Sequence, residues 1–257
     1  MKNVVFIGSG NVATCIAQAL VRNGFIVNCV YSRNILNAQK LTNLVGGLAT
    51  NNVNEVAIDA DLYIIAITDD AIKLVSNQLK VNGLVVHTSG CTSINTLANN
   101  KRFGVLYALQ TFGKNADINL KQVPFLVEAN NSDDELLLIN LAKLLTEHVQ
   151  VANTDQRQNL HVAAVFANNF SNHMFAIAKL LVEEHNLSFD LLKPLILQTA
   201  KNAVELNPLD VQTGPAMRSD GLTISTHLEV LHQNPEFRQI YEILSQSIRK
   251  VHTKKTN

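Results

Sequence analysis

The chain has 257 residues, of which 47% are apolar and 16% are charged, and its 21 basic and 21 acidic residues give a net charge of zero. This length suits two domains, and the apolar content excludes a largely disordered chain. The balanced charge argues against nucleic acid or an anionic membrane as a partner.

The chain opens on a strand, a glycine turn and a helix. Residues 4–7 are apolar, G-x-G-x-x-A follows, and a helix is predicted over residues 11–22. Gly8 permits a sharp turn, Gly10 lets a pyrophosphate approach the backbone, and Ala13 allows close packing of the helix on the sheet. The positive end of the helix dipole would face the phosphate. The pattern predicts a dinucleotide site with contacts from Gly8, Ser9, Gly10, Asn11, Val12 and Ala13.

The segment after the second predicted strand, residues 25–31, selects the nucleotide. NAD sites usually carry an Asp or Glu about 20 residues past the glycines, where it accepts from the ribose 2′-hydroxyl. Here no carboxylate occurs between residues 4 and 54, and Ser32-Arg33-Asn34 follows the strand. Arg33 can bind a 2′-phosphate in a charge-assisted fork. These residues favour NADP, the alternative being that Arg33 is a solvated cation of the loop.

Strands and helices alternate up to residue 152. After the first two strands, further strands are predicted at 48–50, 61–67, 83–87, 103–109, 124–128 and 148–152, and helices at 35–44, 69–79 and 133–146. This alternation predicts an α/β fold with a doubly wound, mostly parallel sheet in a cofactor domain of residues 1–153. Ligands bind at the carboxyl ends of such strands, so Ile67, Thr68 and Thr88 are further expected cofactor contacts.

Residues 154–257 show only helical periodicity and predict an all-α domain. One long helix is expected over residues 155–185, followed by helices at 189–206, 223–233 and 235–251. A helix of that length is unusual in a soluble domain and suggests packing between domains or subunits. We therefore expect a homodimer formed through the C-terminal helices.

Four segments carry a family resemblance: Val86-His87-Thr88-Ser89-Gly90, Leu109-Gln110-Thr111-Phe112, the run from His161 to Phe170, and Thr213-Gly214-Pro215-Ala216-Met217-Arg218-Ser219-Asp220. With the glycine turn they resemble a bacterial family of NADP oxidoreductases whose C-terminal domain has no assigned function. The family lies in the superfamily of 6-phosphogluconate dehydrogenase and pyrroline-5-carboxylate reductase. The resemblance covers essentially the whole chain and implies a Rossmann domain, NADP and dimerisation, but no substrate.

One departure concerns the catalytic lysine that hydroxyacid dehydrogenases of this superfamily carry on the first long helix. Residues 155–178 contain no lysine, only Arg157 and two histidines. The resemblance therefore does not extend to a lysine-based proton relay. Pyrroline-5-carboxylate reductases also lack that lysine, so reduction of a C=N or C=O bond stays open.

Hydride transfer needs a proton donor or a polarising group beside the nicotinamide. Ser89 could polarise a carbonyl or imine, or it could stabilise the turn after the fifth strand. Gln110 and Thr111 end the next strand and are candidate substrate contacts.

His161 is the main acid–base candidate. In an α-helix it shares a stripe with Asn168, and Asn169 lies about 80° further round. The group could hold a substrate or the nicotinamide, or it could be a polar patch in a helix contact.

Arg218, in the dense loop of residues 214–221, could bind a substrate carboxylate in a fork or pair with Asp220. No metal site is expected, because no cluster of ligand residues has suitable spacing. The odd number of cysteines, the lack of a C-x-x-C pair and the strand beginning at residue 4 indicate a reduced, cytoplasmic protein.

The sequence as a whole predicts an NADP(H)-dependent reductase or dehydrogenase that acts on a small polar substrate in the interdomain cleft. The alternative is a non-catalytic NADP-binding protein that senses redox state or serves as a scaffold.

Overall fold

The computed structural model of the protein describes residues 1–113 and 118–253. They form two compact units, Met1–Ala167 and the segment from Asn168 onward. The sequence places the domain boundary after residue 153, where the strand pattern ends, whereas the two compact units divide after Ala167. The boundary at residue 153 stays a prediction. Within the described ranges, no helix is both long enough and apolar enough to cross a membrane.

The first unit contains a single eight-stranded sheet. Its strands are β1 (Asn3–Ile7), β2 (Ile26–Tyr31), β3 (Leu48–Thr50), β4 (Leu62–Ile65), β5 (Leu84–His87), β6 (Phe103–Ala108), β7 (Phe125–Ala129) and β8 (Val149–Val151). They are arranged in the order β3-β2-β1-β4-β5-β6-β7-β8, and only the β6–β7 pair is antiparallel. The predicted doubly wound, mostly parallel sheet is thus confirmed, with strand ends that differ from the expected ones by a residue or two.

Helices cover both faces of this sheet. They are α1 (Asn11–Arg22), α2 (Ile35–Val45), α3 (Asp69–Gln78), α4 (Ser132–Leu145) and α5 (Thr154–Ala164). One face of β1, with Val4 and Phe6, belongs to the core cluster of α1, α2 and α4. The other face, with Val5 and Ile7, packs with α3. Because side chains alternate along a strand, a strand covered on both faces reads as a continuous apolar run.

The order of the strands reverses between β1 and β4, which are neighbours although β2 and β3 separate them in the chain. In open α/β sheets, this reversal opens a crevice at the carboxyl ends of the two strands, where dinucleotides bind. The crevice lies beside Gly8 after β1 and Ala66 after β4.

The second unit is helical, with α6 (Ser171–Glu184), α7 (Lys193–Glu205), α8 (Gly221–Val230) and α9 (Pro235–Thr253). Short 3-10 turns at Phe189–Leu192 and Leu231–Gln233 precede α7 and follow α8. Many of its large apolar side chains are exposed, including Val204 at 87% and Leu222 at 81%.

The expected helix over residues 155–185 is not one regular α-helix. A π-helical turn, Val165–Phe170, separates α5 from α6. The i→i+5 bonds of such a turn change the angular step between residues. The stripe that α-helical spacing assigns to His161 and Asn168 therefore does not continue in register past residue 164.

Candidate functional site

The turn after β1 requires glycine at its first position. Gly8 has a φ of +116°, and a Cβ atom added there would lie 2.1 Å from the backbone oxygen of Ala66. A Cβ added at Gly10 would meet no atom within 4 Å. Gly8 is thus needed for the turn and for the approach of β4, while Gly10 leaves open space at the start of α1. Both observations agree with the roles that the sequence predicts for a phosphate-binding turn.

The first turn of α1 is suited to an anion. Gly10 is the N-cap and supplies no side-chain cap, and the first turn carries no acidic residue. The backbone N–H groups there are the ones that a bound phosphate satisfies in dinucleotide sites. Asn11 is occupied differently, since its side-chain amide donates to the backbone oxygen of Phe112 at 2.7 Å. Val12 and the fully buried Ala13 face the packing between helix and sheet.

A cavity of about 420 Å³ opens at the carboxyl ends of β1, β2 and β4. Seven of the predicted cofactor residues line it: Gly8, Ser9, Gly10, Ser32, Arg33, Ile67 and Thr68. Five further lining residues did not follow from the sequence pattern: Tyr31, Asn37, Ala66, Ala71 and Val75. Its size falls in the usual range for cofactor pockets, and Arg33 is the charged member of its described lining.

The residues around Arg33 have separate tasks. Asn34 caps α2, because its side-chain oxygen accepts from the Leu36 backbone N–H at 3.0 Å. Asn37, one helical turn further on, reaches the cavity. Its place in the first turn of α2 is the only sequence signal that could have suggested it. The pKa of Asp70 lies below its usual value, chiefly through a hydrogen bond with Thr68 and in part through the charge of Arg33. Arg33 lines the same cavity as Thr68 and Ala71, which lie at the start of α3.

The loop after β5 is held by its own hydrogen bonds. Ser89 is buried, and its Oγ accepts from the backbone N–H groups of Cys91 at 3.1 Å and Thr92 at 2.9 Å. Its hydroxyl thus stabilises the turn, which is one of the two roles that the sequence left open. Thr88, assigned to the cofactor, hydrogen-bonds the backbone oxygen of Ile65 through its N–H at 3.1 Å.

His87 lies beneath this loop and is fully buried. Its Nδ1 accepts from the backbone N–H of Ser89 at 3.2 Å, so the ring supports the loop from inside. Burial, and secondly the charge of Arg157, lowers the pKa of His87 to about 4. The ring is therefore neutral at physiological pH, as its acceptor role requires.

His161 lies against this loop and pairs with Tyr107. The Tyr107 hydroxyl and the Nδ1 atom of His161 are 2.9 Å apart, and the rings meet edge to face with centroids 5.9 Å apart. A Cβ atom added at Gly90 would lie 2.5 Å from that Nδ1 and 3.0 Å from Cζ of Tyr107. Gly90 thus allows the loop after β5 to contact both rings. Tyr107 did not follow from the sequence, because a tyrosine in a buried strand looks like an ordinary core residue.

Arg157 fixes α5 to the same loop. Its guanidinium is fully buried, pairs with Glu128 on β7, and donates to the backbone oxygen of Thr92 at 2.6 Å. One residue further, the Gln158 side chain donates to the backbone oxygen of Cys91 at 2.6 Å. Removing one partner of a buried charge pair lowers the free energy of unfolding by about 3–5 kcal/mol, so this pair holds α5 in place. His161, one turn along α5, takes its position from these anchors.

The remaining predicted residues lie elsewhere. Gln110 and Thr111 are both exposed. The side-chain oxygen of Gln110 accepts from the backbone N–H of Thr111 at 2.8 Å. Asn168 and Asn169 are exposed in the π-helical turn and belong to the second unit. Arg218 is exposed in the same unit. Nearby Asp220 caps α8, and its pKa is lowered chiefly by its hydrogen bonds with Thr223 and to a smaller extent by the charge of Arg218. Their roles at a substrate stay predictions.

Two family profiles match the chain. Residues 3–89 match a family described as NADP oxidoreductase, coenzyme F420-dependent. Residues 123–248 match a domain of unknown function, DUF2520. A search of curated proteins found no match.

Solved structures match over nearly the whole chain. A protein described as a "putative NADP oxidoreductase" from Bacteroides fragilis is 38% identical, with 97% of this chain and 98% of that chain covered and a TM-score of 0.89. A pyrroline-5-carboxylate reductase from Coxiella burnetii is 18% identical over 98% of each chain, with a TM-score of 0.58. A reductive aminase from Aspergillus terreus, in complex with NADPH and ethyl-5-oxohexanoate, is 13% identical, covers 99% of this chain and 94% of its own, and has a TM-score of 0.73. The last two share the fold.

Proposed function

Because the chain belongs to the NADP oxidoreductase family of its Bacteroides fragilis relative, we propose that it is an NADP(H)-dependent reductase or dehydrogenase of a small polar molecule. The observation that carries this proposal is the cavity at the reversal of the strand order. It combines a glycine turn that admits a phosphate, an uncapped helix start and a guanidinium at the ribose end. These are the parts that a dinucleotide with a 2′-phosphate requires.

Arg33 is assigned to the 2′-phosphate. A guanidinium makes a bidentate, charge-assisted contact with a phosphate, whereas a carboxylate at this place would repel the phosphate and favour NAD. Ser32 and Asn37 line the same end of the cavity and can supply neutral hydrogen bonds. Gly8, Ser9 and Gly10 would hold the pyrophosphate, with the first turn of α1 behind it.

His161 is assigned to proton transfer. NADPH, when bound, supplies the hydride, so the protein must supply a proton to the substrate oxygen or nitrogen. His161 is partly exposed and stands on a helix that Arg157 and Gln158 anchor to the loop after β5. That loop follows the carboxyl end of a central strand, which is where reacting groups gather in open α/β sheets. Ser89 and Gly90 then shape the turn beside the ring.

Calorimetry with NADPH and NADH tests the cofactor assignment. We expect NADPH to bind more tightly, and Arg33→Ala to reduce the preference roughly ten- to a hundredfold, since a charge-assisted fork contributes on the order of 1.5–3 kcal/mol. Arg22→Ala is the matched control, because it removes an exposed cation at the far end of α1. Equal affinities for the two nucleotides in the unmodified protein would disprove the assignment.

A substrate screen of imines, ketoacids and hydroxyacids with NADPH or NADP tests the chemistry. His161→Ala should lower turnover of the substrate found by roughly 10²–10⁴-fold while NADPH affinity stays unchanged. His148→Ala removes an exposed histidine of the same unit and serves as the control. Normal turnover by His161→Ala would rule out its role. Tight NADPH binding without turnover of any compound would favour the non-catalytic alternative.

A further inference from the structure

Two tyrosine–histidine pairs with the same geometry occur in the described chain. In the first, the Tyr107 hydroxyl is 2.9 Å from Nδ1 of His161, and the ring planes meet at 69°. In the second, the Tyr241 hydroxyl is 2.8 Å from Nδ1 of His227, and the planes meet at 77°. The two pairs differ in their surroundings, since Tyr107 is only 8% exposed whereas the second contact is open to solvent. Solvent therefore competes with the hydroxyl more readily in the second pair than in the first.

The Nδ1 side of His161 is closed by protein. A Cβ atom on Gly90 would lie 2.5 Å from Nδ1 and 2.8 Å from Cγ, so the backbone of the loop covers this edge of the ring. Nδ1 can therefore form a hydrogen bond with Tyr107, but the loop leaves no room for a substrate atom on its side of the ring. Nε2, on the opposite edge of the imidazole, is the nitrogen that Tyr107 does not engage.

The Tyr107 hydroxyl stays protonated throughout the physiological range. Burial, followed by the charge of Cys91, raises the pKa of Tyr107 to about 12. A neutral phenol is both a donor and an acceptor. It can accept from Nδ1–H when that nitrogen is protonated, in the imidazolium or in the neutral Nδ1–H tautomer, and it can donate to Nδ1 in the other neutral tautomer.

We propose that Tyr107 is the positioning residue of His161, which keeps Nδ1 hydrogen-bonded in both protonation states and so restricts proton delivery to Nε2. This inference rests on the proposed function. During reduction, the Nε2–H bond of the imidazolium would break and its proton would pass to the substrate oxygen or nitrogen, and the hydride that a bound NADPH would supply would add to the adjacent carbon. The neutral ring retains its Nδ1 proton, which it donates to the Tyr107 oxygen.

Replacing Tyr107 by phenylalanine should affect the charged ring more than the neutral one. Without the hydroxyl, Nδ1–H of the imidazolium faces the covered side with no acceptor, and an unsatisfied charged donor costs more than an unsatisfied neutral acceptor. The titration of His161 should therefore move to lower pH. The variant leaves the neighbouring titratable groups unchanged, so their effects on His161 are the same in both proteins. These groups are Cys91 on the loop after β5, Asp69 on α3, and Arg157 and His87 near the loop.

The titration of His161, followed by NMR of its ring in the full chain without cofactor, tests the inference independently of activity. In Tyr107→Phe we expect the midpoint to lie below that of the unmodified protein, because the charged ring loses more than the neutral one. Tyr241→Phe is the matched control, because it removes the same hydroxyl–imidazole bond at an exposed pair, and it should leave the midpoint of His161 unchanged. An equal midpoint in the unmodified protein and in a folded Tyr107→Phe variant would overturn the inference.

Activity supplies the second measurement. With a substrate from the screen, Tyr107→Phe should lower kcat about ten- to a hundredfold and leave the NADPH dissociation constant unchanged. Its rate profile should lose activity at lower pH than that of the unmodified protein, in step with the NMR midpoint. A full kcat in Tyr107→Phe overturns the positioning role. A protein that turns over no substrate contradicts the proposed function instead, and the NMR result then still decides whether Tyr107 controls the ring.

Discussion

Gly90→Ala is the most direct perturbation of the contact between the loop after β5 and α5. The added methyl would lie 2.5 Å from Nδ1 of His161, 2.8 Å from its Cγ and 3.0 Å from Cζ of Tyr107. Ordinary contacts between such atoms are about 3.5 Å, so the imidazole must retreat by about 1 Å. A displacement of that size would strain or break the hydrogen bond to Tyr107, which is now 2.9 Å long.

Two effects of different size follow from this displacement. Overpacking of this kind costs about 1–3 kcal/mol of the free energy of unfolding, which leaves the protein folded. A misplacement of about 1 Å in a group that takes part in the reaction can lower turnover about a hundredfold. Gly90 does not line the cavity described above, so the NADPH dissociation constant should not change. Activity should therefore fall far more than stability or cofactor binding.

Urea unfolding, NADPH calorimetry and steady-state kinetics on the same preparation separate these effects. Gly221→Ala is the matched control, because a Cβ atom there meets nothing within 4 Å at the start of α8. It should leave all three measurements close to those of the unmodified protein. If Gly90→Ala is folded and keeps full turnover, the contact between the loop and His161 has no part in the reaction.

Two further outcomes are expected. The pKa of His87 is about 4 in the folded protein, whereas its ordinary value is 6.5. Between these two pH values the unfolded chain binds a proton that the folded protein does not. The free energy of unfolding should therefore fall as the pH drops from about 6.5 to about 4, by up to about 3 kcal/mol. His87→Asn keeps an acceptor for the Ser89 N–H and does not titrate. Urea unfolding should therefore show that the stability of this variant depends less on pH than that of the unmodified protein, and the same pH dependence in both would refute this reasoning. The exposed apolar surface of α7 and α8 should bring two chains together, so light scattering at micromolar concentration should give twice 28.2 kDa, and a mass of one chain would exclude the dimer.

The sheet and the glycine turn could be predicted from the sequence because their signals are local. A buried parallel strand is a short apolar run, and a turn that needs a positive φ or close backbone approach selects glycine within a few residues. The position of Arg33 follows the same way, since it depends only on its distance from the turn.

The site around His161 depended on the tertiary structure, because its parts are far apart in the chain. Tyr107 and His161 are 54 positions apart, and Arg157 reaches Thr92 across 65. Nothing in the neighbourhood of Tyr107 distinguishes it from a core residue, and Gly90 resembles any loop glycine until the ring that covers it is known. Spacing along one helix also misled the prediction at residues 165–170, where the π-helical turn alters the angular step. Local sequence thus determined the strands, the turn and the expected nucleotide, whereas only the packing of α5 on the loop decided which side chains meet His161.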